Sequence, residues 1–443
     1  MKDLAQMERD FREYERRIQR LKQLEKELES LDTHGFEKEV RSIKSKIKDP
    51  EALTEVEREI SDLKGKIKEK KEELKRVPVS PAEFTPKPTT PKTFPEELSE
   101  FYQDVEFIGK GGFARVFKAK RRDGKEVAVK IPISLDPATG KSFLREIENW
   151  TKLNHENIVR VYDYNILPIP YFEMELCDCS LNELDKPLEP EKASWLIFNI
   201  AEGLKYAHKQ GIIHRDLKPH NMMLKEGIPK ISDWGLSKVM TESKSTTTTS
   251  FTPFYAAPEQ ISGGEKDPRT DIWQLGVIFY ELVTGEVPFK GDSFVEIGMA
   301  IATKQPPFPS EINPEAKELD PIIMKCLEKD KSKRYQSVEE LQGDLANYLG
   351  VQYSESLKMS MSQKDFSKSA YYCGELLLIN LKVGELMQAY KYASDMLKYA
   401  ENKHRNEIEN FCKELEYRIE NEIGVSEELI KKAEIVVYRV RGF

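Results

Sequence analysis

In the stretch Ile212-Ile-His-Arg-Asp-Leu-Lys-Pro-His-Asn-Met-Met-Leu224, an aspartate, a lysine and an asparagine stand at positions 216, 218 and 221. Asp216 can orient and deprotonate an attacking hydroxyl. Lys218 can neutralise charge on a transferred phosphoryl group, and Asn221 can hold a magnesium ion. Any one of these residues alone reads as a solvated loop residue. Their meaning depends on the other reactive residues in the chain and their order.

Lys130 ends the apolar run Val127-Ala-Val-Lys130. Burying an unpaired ammonium costs several kcal/mol, so Lys130 needs an anionic partner. Nucleotide phosphates and Glu146, on the amphipathic segment Lys141–Trp150, are the candidates; Glu148 would face away. In Gly109-Lys-Gly-Gly-Phe-Ala-Arg-Val116, Gly109 and Gly111, on either side of Lys110, let the backbone approach phosphates. The run lacks the Lys-Ser/Thr pair of a P-loop. A strand-like segment rather than a crossover helix follows it, which disfavours a dinucleotide fingerprint.

Together with Asp233-Trp-Gly235, Ala257-Pro-Glu259 and Asp271-Ile-Trp-Gln-Leu-Gly276, these motifs stand in the order of one family. Over roughly residues 100–350 the chain resembles the eukaryotic-type (Hanks-type) serine/threonine protein kinases. The resemblance implies an α+β, bilobal protein kinase fold over residues 98–350, with an N-lobe of 98–176 and a C-lobe of 177–350. It also implies transfer of the ATP γ-phosphate to protein Ser/Thr hydroxyls with Mg2+, or Mn2+ in its place. Val116 and Ala128 would cover the adenine and Met223 would lie beneath it. Met174 would limit the pocket behind the base, and the backbone from Glu175 to Cys177 would bond it. Asp178 and Ser180 both stay open for the ribose. Lys130, held by Glu146, would meet the phosphates, and Asp233 and Asn221 would hold the metal. Asp216 would be the base, and Lys218 with Thr252 would shape a site for short hydroxyl side chains. Glu259 would pair with Arg334, and Asp271 would fix the catalytic loop backbone.

Arg215 precedes the base, and the hydroxyl run Thr246, Thr247, Thr248, Thr249 and Ser250 lies upstream of Thr252. Phosphate on that run would give the guanidinium a bidentate acceptor, which predicts autophosphorylation. The chain departs from the family pattern at Ala114 and Phe251, where glycine is usual, and at Trp234, where phenylalanine is usual. With Trp150, Val161 and His214, Trp234 would form an apolar column whose large rings have fewer ways to pack. No catalytic group is lost. The alternative is a nucleotide-binding pseudokinase scaffold acting through its flanks.

Those flanks are helical in pattern. Leu4, Met7, Phe11, Tyr14, Ile18 and Leu21 step by threes and fours, Leu24, Leu28 and Leu31 follow, and Val56, Ile60, Leu63, Ile67 and Leu74 form a second stripe. Residues 1–76 therefore read as an intrachain bundle or as a coiled coil with a second copy, with breaks at Asp32–Gly35 and Asp49-Pro50. Pro78, Pro81, Pro86, Pro88, Pro91 and Pro95 make residues 77–97 an extended linker. Asp344–Leu349 reads as the closing helix of the kinase domain. Residues 353–443 read as a further helical domain, possible kin of tetratricopeptide repeats through Gly384 and the face Ala389, Ala393, Leu397 and Ala400. Flanks of this kind suggest homodimerisation or docking within the chain.

With 77 acidic and 69 basic residues intermixed, the net charge of −8 gives no footprint for nucleic acid. Five scattered cysteines do not make a disulfide scaffold. The longest apolar run, Tyr371–Leu381, contains Glu375 and is too short to span a bilayer. Protein substrates and a cytoplasmic location are the expectation.

Overall fold

The computed structural model describes residues 13, 16–24, 28, 37–46, 49, 52–74, 94–110, 114–133, 143, 146–147, 149–165, 169–234 and 254–440. The chain divides into two compact units. One comprises Met1–Asn154, Val159–Leu176 and Asp233–Thr249, the other His155–Ile158, Cys177–Ser232 and Ser250–Phe443.

The first unit begins with helical residues 16–24, α1 (Glu37–Lys46) and α2 (Leu53–Leu74). Val56, Ile60 and Leu63 advance by four and three residues and so share a helix face. They form one core with Leu21, Leu24, Leu28 and Ile43, so the apolar seam is covered within the chain. Arg20–Glu57 and Lys46–Glu59 ion pairs, both at 2.7 Å, tie the segments at the rim. The stripe from Leu4 to Tyr14 and the break at Asp32–Gly35 lie outside the described residues.

Five antiparallel strands follow: β1 (Tyr102–Lys110), β2 (Ala114–Arg121), β3 (Glu126–Pro132), β4 (Val161–Asn165) and β5 (Tyr171–Met174), in the order β1-β2-β3-β5-β4. Their register sorts the side chains. Val116 pairs with Lys130, Lys130 with Phe172, and Ala128 with Met174. Direct partners and residues two apart share a face, so these five lie in one row. Phe117, Ala119, Val127, Val129, Ile131 and Tyr171 lie on the other face and make its core.

That core extends past residue 97 into the stretch expected as linker. Leu98 is fully buried, and the Phe94 ring packs edge-on against Tyr102 and Phe117, at centroid distances of 6.1 and 5.1 Å. A large apolar ring next to an open sheet face gains more by packing than by staying in a proline tether. The sheet domain therefore starts by Phe94.

The second unit contains the small sheet β6 (Cys179–Ser180), β7 (Met222–Lys225) and β8 (Ile228–Ile231), then helices α3 (Pro190–Lys209), α4 (Pro268–Thr284), α5 (Phe294–Thr303) and α6 (Val338–Ser362). Proline opens α3 and α4 at positions where its missing N–H costs nothing. Asp267 caps α4 by accepting from the Arg269 N–H, and Gly285 ends it at φ +78°.

Residue 350 is likewise not the end of an element. The helix expected to close the kinase domain does not stop there: α6 runs to Ser362, through the boundary drawn between 350 and 353. Leu345, Leu349, Tyr353, Leu357 and Ser360 keep a buried face at helical spacing. Helices α7 (Phe366–Lys382), α8 (Leu386–Tyr399), α9 (Asn402–Glu420) and α10 (Glu427–Val440) complete the unit. Gly384 turns α7 into α8 at φ +88°. Among the described residues, no helix is long and apolar enough to cross a membrane.

Candidate active site

In the first unit, Lys130 Nζ lies 2.7 Å from Glu146 Oε1, and it also contacts the Asp233 carboxylate. Strand β3 presents the lysine, and the helical residues around Glu146 present the acid. Burial works against the Lys130 ammonium, but Asp233 and Glu146 outweigh it and hold its pKa above the ordinary lysine value. Burial also raises the Glu146 carboxyl to about 7, against the pull of Lys130. Asp233 has a left-handed backbone at φ +63°, a strained conformation of the kind kept at functional positions.

Val116, Ala128 and Met174 lie on the same sheet face as Lys130. Gly109 stands opposite Val116 and Lys110 opposite Arg115. Among the described residues, a Cβ added at Gly109 would meet nothing within 4 Å. Gly111 lies outside the described residues. Glu175 donates its N–H to Arg160 O at 2.8 Å. Trp150 is fully buried, with Nε1 donating to Val159 O at 2.6 Å and its ring edge-on to Phe172. Trp234 is buried as well.

In the second unit, Asp271 on α4 accepts the backbone N–H of His214 at 2.9 Å and of Arg215 at 2.7 Å, and takes a third bond from His208 Nε2 at 2.8 Å. These bonds keep Asp271 ionised: burial raises its pKa, but His208, His214 and the Arg215 N–H lower it further. Arg215 takes φ +68°, and the chain emerges with Asp216 partly exposed. Lys218 Nζ lies 2.8 Å from Asp216 Oδ2. Asn221 Nδ2 donates to Asp216 O at 2.8 Å and to its Oδ2 at 3.3 Å. With its nitrogen so engaged, the amide oxygen is the end left to face a cation, and oxygen is the donor hard divalent metals prefer.

Two glutamines not assigned from the sequence complete this loop. Gln274 accepts the Leu217 N–H at 3.0 Å and donates to Arg215 O at 3.1 Å, and Gln260 donates to the same carbonyl at 2.8 Å. Gln274, three residues after Asp271 on α4, shares its face and was legible in principle. Glu259 and Arg334 meet in two parallel bonds of 2.9 Å.

Met223 sits on β7 opposite Ser180, and Cys177 is half-buried. Both candidates for the ribose are engaged elsewhere: Ser180 caps a turn with Glu183 at 2.8 Å, and Asp178 accepts the Glu226 N–H at 2.6 Å. Thr246–Ser250 and Thr252 lie outside the described residues. Among the described residues, Arg215 Nε is buried without an acceptor.

Residues 102–345 match the family model described as the protein kinase domain. The chain is similar to a probable serine/threonine-protein kinase of Streptomyces coelicolor, with 37% identity over 57% of this chain and 40% of that protein. It is likewise similar to the serine/threonine-protein kinase PknB of Mycobacterium leprae, with 34% identity over 60% of this chain and 46% of that protein. A probable serine/threonine-protein kinase of Clostridium perfringens shares 36% identity over 56% and 38%. The chain spans less than half the length of these relatives.

Proposed function

The chain belongs to the protein kinase domain family, and from that premise we propose that it transfers the γ-phosphate of ATP to serine or threonine hydroxyls of proteins. The observation that carries the reading is the Asp271 clamp on the His214 and Arg215 amides, which presents Asp216 with Lys218 at 2.8 Å. In this account Asp216 orients the hydroxyl and accepts its proton. Lys218 balances the charge that builds on the transferred group. Lys130, kept cationic by Glu146, binds the nucleotide phosphates. Val116, Ala128 and Met223 hold the base apolarly, with backbone bonds from Glu175 and Cys177. Gly109, Lys110 and Gly111 cover the phosphates.

ATP and a divalent metal go with the family, and magnesium is the specific ion proposed, held by Asn221 and Asp233. Bound there, it would neutralise phosphate oxygens as charge shifts during transfer. The names of the relatives and the Asp-Leu-Lys-Pro run support serine/threonine rather than tyrosine as acceptor. A scaffold without transfer gains no support, since each group it would lack is present. Control by phosphate on Thr246–Ser250, placed there by the kinase itself, is part of the proposal, as are Thr252 beside the acceptor and a cytoplasmic setting. Because Leu21, Leu24, Leu28, Ile43, Val56, Ile60 and Leu63 share a core within one chain, a bundle is favoured over pairing with a second copy.

The test is incorporation of labelled γ-phosphate into a generic basic protein and into the kinase itself. Label on serine or threonine is expected; none on either protein would refute the assignment.

A further inference from the structure

The C-terminal helices seat a lysine in the kinase domain. Lys382, the last residue of α7, is nearly shut from solvent; its ammonium lies 3.0 Å from Glu434 on α10 and donates to Asn199 Oδ1 on α3 at 3.1 Å. Its carbonyl accepts Lys205 Nζ, also on α3, at 3.1 Å. A few turns away Trp195 Nε1 on α3 donates to the buried Glu375 of α7 at 3.3 Å. A surface helix resting on a neighbour does not need buried ions at its seat, since desolvation is costly unless geometry compensates. Here the compensation is complete enough that Lys382 has a raised pKa: burial opposes the charge, and Glu434, Glu202 and Glu156 outweigh it.

Helix α3, which Lys382 contacts at Asn199, connects this seat to the catalytic machinery. Burial, with Glu156 adding to it, raises the Glu434 carboxyl to about 7 against the pull of Lys382. Glu156 belongs to the segment His155–Ile158, which holds β8 along its length. Lys230 Nζ donates to Glu156 O at 2.7 Å, Asn157 Nδ2 to Pro229 O at 2.9 Å, and the Ile231 N–H to Asn157 O at 2.9 Å. Gly203 on α3 permits the approach: a Cβ there would stand 2.7 Å from Asn157 O. Beyond β8, the Ser232 N–H and hydroxyl both donate to Asn221 O, at 2.9 and 3.0 Å.

We propose that Lys382 is a positioning residue for phosphoryl transfer, so that the C-terminal helices are a working part of the kinase. Through Asn199 and α3, whose Gly203 packs against Asn157 O, it fixes the 155–158 segment, which fixes β8 and thereby the Asn221 side of the metal site. The inference rests on the kinase reading above and on Asn221 as a metal ligand.

The test uses the full chain with Lys382→Met and Lys382→Arg, comparing kcat, the half-saturating magnesium concentration and amide hydrogen exchange in 228–232 against that in α4. In Lys382→Met, kcat falls about tenfold, as small misplacements remote from the chemistry can cause. The magnesium requirement rises and β8 exchanges faster, while α4 is unchanged; Lys382→Arg recovers most of the loss. Wild-type kcat, or unchanged β8 exchange, in Lys382→Met overturns the proposal. Faster β8 exchange and lower kcat with unchanged magnesium dependence uphold the brace and reject Asn221 as a ligand. If Lys382→Met does not fold, Glu434→Gln keeps the shape and is read by the same criteria. A wild-type chain that transfers no phosphate while Lys382→Met loosens β8 would refute the kinase reading and leave the brace standing.

Discussion

Lys130 and Glu146 meet at 2.7 Å with both side chains closed to solvent, and burial has raised the acid to about 7. The sign of the pH effect follows. The fold favours the protonated carboxyl, so this group's stabilising contribution is full below its ordinary value near 4.5 and is lost as pH rises through about 7. Activity runs the other way, because the ion pair needs the carboxylate. A plot of log kcat/KM for ATP against pH should therefore rise through about 7. In Glu146→Gln that limb should vanish and activity should drop about 10²-fold, from a misplaced Lys130. An unchanged limb in the variant would assign the titration to another group.

Arg334 and Glu259 form a pair whose partners are both buried. Removing only the cation strands a carboxylate, so Arg334→Leu should cost about 3–5 kcal/mol in a urea melt. Adding Glu259→Leu should recover part of this. Full recovery is not expected, because Thr270 Oγ1 donates to Glu259 at 2.8 Å and Arg334 donates to Glu328 O at 2.6 Å. A double variant no more stable than the single one would contradict the pairing argument.

Gln274→Leu removes the acceptor of the buried Leu217 N–H while keeping an apolar filler. The unsatisfied donor should cost about 1–3 kcal/mol. Since the same side chain holds Arg215 O, kcat should fall further than KM changes. A melt and steady-state kinetics on one preparation separate the two effects; wild-type kcat would show that Gln274 only stabilises.

Arg215 Nε finds no acceptor among the described residues. Incubation with ATP should add phosphate within Thr246–Ser250, seen by mass spectrometry, and specific activity should rise with it. Replacing all five hydroxyls by alanine should leave a low, constant rate. Equal rates with and without the hydroxyls would rule out control through this segment.

Much of the candidate site was legible because its residues keep short, fixed spacings. Asp216, Lys218 and Asn221 are bound to one another within a single loop. The Glu259–Arg334 pair and the Asp271 clamp were expected from the family resemblance, and both contacts are present. What escaped depends on distant packing. Nothing local to Phe94 marks it as core rather than linker, since its partners Tyr102 and Phe117 are defined by the sheet. Nor does Gly350 announce that α6 continues, because the reason is a buried face completed by later helices. Lys382 reads as a surface lysine at a helix end until Asn199 and Glu434 close around it.

The central claim is that Asp216 and Asp233 serve phosphoryl transfer on this chain. Incorporation of labelled γ-phosphate should be measured for the wild-type protein and for Asp216→Asn and Asp233→Ala, each with its melting curve. The account predicts label on serine or threonine with the wild-type protein and a loss of about 10³-fold or more in each variant, with the fold intact. Wild-type incorporation by both folded variants would contradict it.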